Sequence, residues 1–156
     1  MRAILSLTLL SFIAAGCGLL SPGDKDGKLT ATLTVTDTTG KPATQFYSGE
    51  PFDVSFFLRN TRSDSVSYGM AGSIPLFEIY EGNVMVSSSN MGCPVPQIVI
   101  SGSLPPGDTL RFNWRAPSGC TPITLSPGSY QITSRSPGFD TSKVNPAQPI
   151  GVSIIQ

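Results

Sequence analysis

Three cysteines and ten carboxylates are the residues of this 156-residue chain whose types could do chemistry, and it has no histidine. Without histidine, Ser-His-Asp and Cys-His catalysis, His-ligated metals and a histidine pH switch are all excluded. The carboxylates, among them Asp53, Glu78, Glu81, Asp108 and Asp140, are scattered. Most fall in turns or on polar strand faces, so they read as solvated surface. No Gly-x-Ser-x-Gly elbow, phosphate-binding glycine loop or metal-ligand cluster is written in the chain. Ten basic side chains balance the ten acids. A nucleic-acid binder carries a basic excess, and none exists here. The expectation is a protein without catalysis, cofactor or metal.

Cys17 stands in a setting of its own. Met1-Arg2 opens with a positive charge, and Ala3 to Ala15 follow without any charge, rich in Leu, Ile and Ala. This run fits the apolar region of a signal peptide and is short for a membrane-spanning helix. It ends in Ala14-Ala15-Gly16-Cys17, two small residues before a cysteine after Ala14. The segment resembles the bacterial lipoprotein signal. That resemblance implies cleavage after residue 16 and lipidation of Cys17 as the new first residue. Two or more acyl chains anchor a protein stably, at about 0.8 kcal/mol per buried methylene. Inner-membrane retention typically uses Asp after the cysteine, whereas Gly18 follows here. The expected place is the cell envelope: the periplasmic face of the outer membrane, or the cell surface, if the host is Gram-negative. Residues 17–28 then form a lipidated, flexible tether, since Ser21 to Lys28 offer no apolar side chain to bury.

If Cys17 carries lipid, Cys93 and Cys120 remain. An even pair in an exported domain reads as a disulfide. Closing a loop of about 28 residues would contribute roughly 3–4 kcal/mol in the loop-entropy model. Two free thiols, or half of a metal site lacking further soft ligands, are the alternatives. The disulfide would stiffen Asn90-Met91-Gly92-Cys93-Pro94-Val95-Pro96-Gln97. A stiff exposed loop loses little entropy on binding. Met91, Pro94, Val95 and Pro96 are therefore the candidate partner contacts, against the plainer reading of a stapled connection between strands.

The elements that would position these residues are strands. Sixteen glycines and fourteen prolines leave no room for long helices. Leu29, Ala31, Leu33 and Val35 alternate with four threonines across Leu29 to Thr36, which predicts a half-buried strand. Phe52 to Arg59 is a second, Val66 begins a third, and Thr109 to Arg115 alternates with Leu110, Phe112 and Trp114 inward. Trp114 reads as core. Leu76 to Tyr80 and Val84 to Val86 flank Glu81-Gly82-Asn83, a hairpin signal. Gln97 to Ile100 is a short apolar run before the turn Leu104 to Asp108. Tyr130 to Thr133 and Ile150 to Ile154 supply the last strands. Eight or nine short strands predict an antiparallel β-sandwich over residues 29–156. Leu125-Ser126-Pro127-Gly128-Ser129-Tyr130 has the form of a tyrosine corner. There the Tyr130 hydroxyl would bond upstream backbone and pin a Greek-key crossover. Arg59, Arg111 and Arg115 would form a small basic stripe on a polar face.

From Phe52 to Tyr130 the order of features resembles the BsuPI-type proteinase inhibitor domains. The matching pieces are Phe57-Leu58-Arg59-Asn60-Thr61, Phe77-Glu78-Ile79-Tyr80-Glu81-Gly82-Asn83-Val84, Leu104-Pro105-Pro106-Gly107-Asp108, Phe112-Asn113-Trp114 and Pro127-Gly128-Ser129-Tyr130. The resemblance covers about half the chain, and its namesake inhibits a serine protease. It implies an immunoglobulin-like sandwich. The Val86 to Cys93 stretch, the two later cysteines and the lipid signal depart from the cytosolic pattern. Three functions follow as expectations. The first is interaction with an envelope protein; the second is inhibition of a protease through the stapled loop. The third is carbohydrate binding, which would need exposed Tyr47, Tyr68 or Tyr80.

Overall fold

The structure is a computed structural model that describes residues 27–71, 76–94, 99–135, 138–139 and 143–156. Cys17 and the signal segment lie outside the described residues. All regular structure among the described residues is β: eleven strands and no α-helix.

The first sheet is built on β1 (Leu29–Thr36), β3 (Phe52–Arg59) and β8 (Thr109–Ala116), with β3 in the middle. Both of its pairings are antiparallel and run without a break, from Thr36↔Asp53 to Thr30↔Arg59 and from Phe52↔Ala116 to Arg59↔Thr109. Unbroken register keeps every second side chain on one face. Leu29, Leu33, Val35, Phe52, Val54, Phe56, Leu58, Trp114 and Ala116 are accordingly buried, as their alternation predicts. The second sheet contains β5 (Phe77–Glu81), β6 (Val84–Ser88), β9 (Gly128–Ser134) and β11 (Ile150–Ile155), with β9 between β5 and β11. It contributes Phe77, Ile79, Tyr130, Ile132, Val152 and Ile154 to the same core.

Aromatic rings join the two layers. Phe77 of the second sheet stacks on Trp114 of the first, with ring centroids 5.9 Å apart. The Trp114 indole donates to the Ser118 carbonyl at 2.8 Å, so its one polar atom is satisfied. Phe46 stacks on Phe52 at 4.5 Å. Burying each such side chain stabilises the fold by about 1.5–3 kcal/mol relative to leaving it in water. The molecule is therefore a β-sandwich. A separate two-stranded ribbon pairs β4 (Val66–Ala71) with β7 (Val99–Leu104). Leu104, expected in a turn, is the buried end of β7.

Two pairings correct the purely antiparallel expectation. β2 (Gln45–Tyr47) runs parallel to β11, and β10 (Val144–Asn145) runs parallel to β1. Parallel neighbours need a long connection rather than a hairpin. Here chain after Thr36 leaves the first sheet and reaches the edge of the second. These strands have three and two residues, too few for an alternation to show in sequence.

Asn60, the residue after β3, is fully buried. Its side-chain amide donates to the Asp64 and Leu104 carbonyls at 2.8 and 2.9 Å, and its Oδ1 accepts the Arg62 amide at 3.0 Å. Its backbone exchanges hydrogen bonds with the Gly107–Asp108 turn. One polar side chain thus ties together the ends of β3 and β7, while main-chain bonds tie in the start of β8.

Candidate functional site

The stapled loop is built from β6 onward. Ser89 closes the strand end: its amide donates to the Phe77 carbonyl, and its hydroxyl accepts the Leu76 and Phe77 amides. The Met91 and Cys93 amides then donate back to Ser88 and Asn90. Cys93 and Cys120 are joined by a disulfide, with Cα atoms 4.8 Å apart. The Met91 carbonyl accepts the amides of Cys120 and Thr121 at 2.9 and 3.2 Å. The buried Ser87 hydroxyl donates to the Pro117 carbonyl.

Glycines allow this close approach. A Cβ on Gly119 would sit 2.6 Å from the Met91 carbonyl oxygen, and Gly92 has a φ of +72°. The result is a rigid ledge of two loops. Met91 is half-buried within it and Pro94 is exposed. Val95 and Pro96, the other candidate contacts, lie outside the described residues.

The same β6 strand begins at the β5–β6 hairpin. Gly82 takes a φ of +58°, the left-handed conformation that the Gly-Asn pair predicts. Val84 is 66% exposed and Met85 43% exposed. Met85 pairs with Tyr80, and Val84 with Glu81, so the two point to opposite faces; on the Met85 side lies an open groove of about 300 Å³ lined by Tyr80, Gly82, Asn83, Gln131 and Thr133. Sequence reasoning placed Val84 and Met85 on a strand but did not see that both would face solvent. Two apolar residues directly after a Gly-Asn turn were the available signal.

Glu78 corrects the solvated-surface expectation: it is 5% exposed. Its carboxylate accepts the Tyr80 hydroxyl at 3.0 Å and pairs with the Arg135 guanidinium at 2.8 Å. The hydrogen bond to Glu78, then its charge, raises the Arg135 pKa above the usual arginine value. The irregularity between Ile79 and Tyr80 shifts the β5–β6 register beside this pair. The arrangement is a hydrogen-bonded, ion-paired buried carboxylate that orients the Tyr80 ring at the groove.

Of the other tyrosines, Tyr47 is 60% exposed, and half-buried Tyr68 packs on Phe139 with centroids 5.3 Å apart. The Tyr130 hydroxyl donates to the Ser126 carbonyl at 2.8 Å, the bond expected of a corner. Burial, then the nearby Glu81 charge, pushes the Tyr130 pKa up.

Arg59, Arg111 and Arg115 do share the outer face of β3 and β8. Arg115 pairs with Asp53. Arg111 donates to Asn113 at 2.9 Å, and its guanidinium lies 5.2 Å from the centre of the Phe57 ring. Asp140 lies outside the described residues. Among the described residues no three His, Cys, Asp or Glu side chains gather into a potential metal site. No helix among them is long and apolar enough to cross a membrane. The chain matches no family model, no curated protein and no solved structure.

Proposed function

We propose that this chain is a non-catalytic, immunoglobulin-like binding domain, held at the bacterial cell envelope by lipid on Cys17, that engages a protein partner through the β5–β6 hairpin. The observation that carries this is exposed Met85, directly across from Tyr80 on β5 and beside the polar groove at Tyr80, Asn83, Gln131 and Thr133, with exposed Val84 next to it on the other face of the hairpin. An apolar contact rimmed by hydrogen-bonding groups is the usual anatomy of a protein interface. Its mount is stiff, because β6 is anchored at its far end by the disulfide ledge. The immunoglobulin-like reading is supported by the strand order: β3 lies beside β8 and β9 between β5 and β11, neighbours far apart in sequence. The Tyr130–Ser126 bond supports it too.

The test is photocrosslinking in intact envelopes from full-length protein with the probe at Val84 or, as control, at Thr32. A discrete adduct at Val84 alone, lost with Met85→Asp, supports the reading. Equal adducts at both positions overturn it. The anchor is tested separately: Cys17→Ser should release the protein from the membrane fraction.

The rigid ledge favours a second reading, inhibition of a serine protease. Its contact surface would begin at Pro94, because the Met91 carbonyl is engaged by Cys120 and Thr121. Stoichiometric inhibition of subtilisin- or trypsin-like proteases, lost on substituting 94–96, is the outcome that reading requires.

A further inference from the structure

Among the described residues, the first sheet has no strand on the outer side of β8. β8 ends the sheet order, and all eight of its residues pair with β3 on one side only. An open edge presents unpaired amides and carbonyls to any extended chain. Two of the usual guards, a proline and a bulge in the register with β3, are missing from β8, and its charges guard mainly against self-pairing.

The core is also open there. Leu110 and Phe112 face inward, opposite Leu58 and Phe56 on β3. Leu58 and Phe56 are fully buried, whereas Leu110 and Phe112 are half-buried. At the other end of β8, Trp114, stacked on Phe77 of the second sheet, and Ala116 are buried. The shortfall is therefore confined to the first half of the strand. One more strand would cover it.

The outward face gives the chemistry of that strand. Thr109, Arg111, Asn113 and Arg115 line β8, with Arg59 next to them on β3 and Asp53 as the facing carboxylate. Three cations against one anion favour acidic neighbours. A second copy of this chain, added edge to edge with its outer face kept outward, would bring Arg111 and Arg115 of both copies onto one surface. Like charges so gathered oppose self-pairing.

We propose that β8 accepts an extended segment of a partner protein as an added antiparallel strand. The segment alternates carboxylate side chains, set against Arg111 and Arg115, with apolar side chains that cover Leu110 and Phe112. Main-chain bonds supply affinity and the alternation supplies selectivity, as in other strand-addition complexes. This surface lies on the sheet opposite the β5–β6 hairpin and does not depend on it.

The probe is a synthetic peptide of about ten residues alternating Val and Glu. Trp114, the single tryptophan of the chain, reports binding by its fluorescence from β8 itself. Hydrogen exchange locates the bound segment. The expected result is saturable binding with new protection of β8 amides. Affinity should fall about tenfold or more for the Arg111→Glu, Arg115→Glu double variant. That variant should instead bind the Val-Lys peptide, which also shows that it is folded. N-methylation of alternate peptide amides should abolish binding by removing the ladder donors. Equal binding of the N-methylated peptide would reduce the effect to charge adsorption and overturn the proposal. So would no saturation up to about 1 mM, or protection appearing in β6 instead of β8. The Met85→Asp variant should bind the peptide unchanged, so failure here is distinguishable from failure of the hairpin reading.

Discussion

The main-chain carbonyl of Met91 accepts the amide of Cys120 at 2.9 Å. The two loops that the Cys93–Cys120 disulfide joins are therefore also joined through their backbones. A disulfide in this position acts chiefly on the unfolded chain, whose loop it closes. The Cys93→Ser, Cys120→Ser double variant should accordingly remain folded and lose about 2–4 kcal/mol of unfolding free energy. Chemical denaturation measures the loss. Amide exchange at position 120 of that variant checks the cause: protection should persist in the native state. Exchange there at unfolded rates, with β8 still protected, would show that the sulfur bond alone holds the ledge.

Gly119 is where the ledge has no spare room. A Cβ at that position would meet the Met91 carbonyl oxygen at 2.6 Å and the Met91 nitrogen at 2.7 Å, both backbone atoms that cannot swing aside. Gly119→Ala should cost about 1–3 kcal/mol, the usual range for overpacking. Gly151→Ala is the control, since a Cβ there meets nothing within 4 Å. Similar melting losses for both would contradict the close-approach account.

How much of this was legible beforehand depends on whether a residue acts through its own period or through a distant partner. β1 and β3 have the limits that their alternation predicts, because one buried face writes itself into every second residue. Gly82 was legible because a left-handed turn position selects glycine. Glu78 was not, since its burial depends on Arg135, some fifty-seven positions away in sequence. Neither was the role of Asn60, whose partner Leu104 lies 44 positions on. The inward turn of the Met91 carbonyl left no mark on the side chain at 91. The parallel strands β2 and β10 are too short to show any period.

Asn60 should therefore be among the least replaceable polar residues in the chain. Removing its side-chain amide leaves the Leu104 and Asp64 carbonyls and the Arg62 amide without these partners. Each buried group so stranded costs about 1–3 kcal/mol. Asn60→Ala should lower stability by several kcal/mol in sum, roughly 2–4 after partial access by water. Asn60→Asp retains the acceptor for Arg62 but loses both donors, and should be nearly as damaging. Urea denaturation of the two variants provides the comparison. A loss under about 0.5 kcal/mol for Asn60→Ala, the level of an ordinary surface change, would be incompatible with this role.

Asp37 sets the acid response of the β1 exit loop. Its Oδ1 accepts the Thr39 hydroxyl at 2.6 Å, the Thr39 amide at 2.8 Å and the Lys41 amide at 2.9 Å. The Thr39 hydroxyl first, then the Lys41 amide, hold its pKa below the usual aspartate value. The sign follows from which state binds the proton more tightly. The folded loop favours the ion, so the unfolded chain takes up the proton at higher pH. The loop's contribution is thus complete above the unfolded pKa and disappears as pH falls through the lower, folded one. Carbon-detected NMR titration should find the Asp37 carboxyl changing at lower pH than the ordinary aspartate value. Thr39→Ala removes the largest cause and should move the Asp37 midpoint upward. A midpoint for Asp37 at or above the ordinary aspartate value in the unaltered protein would refute the assignment.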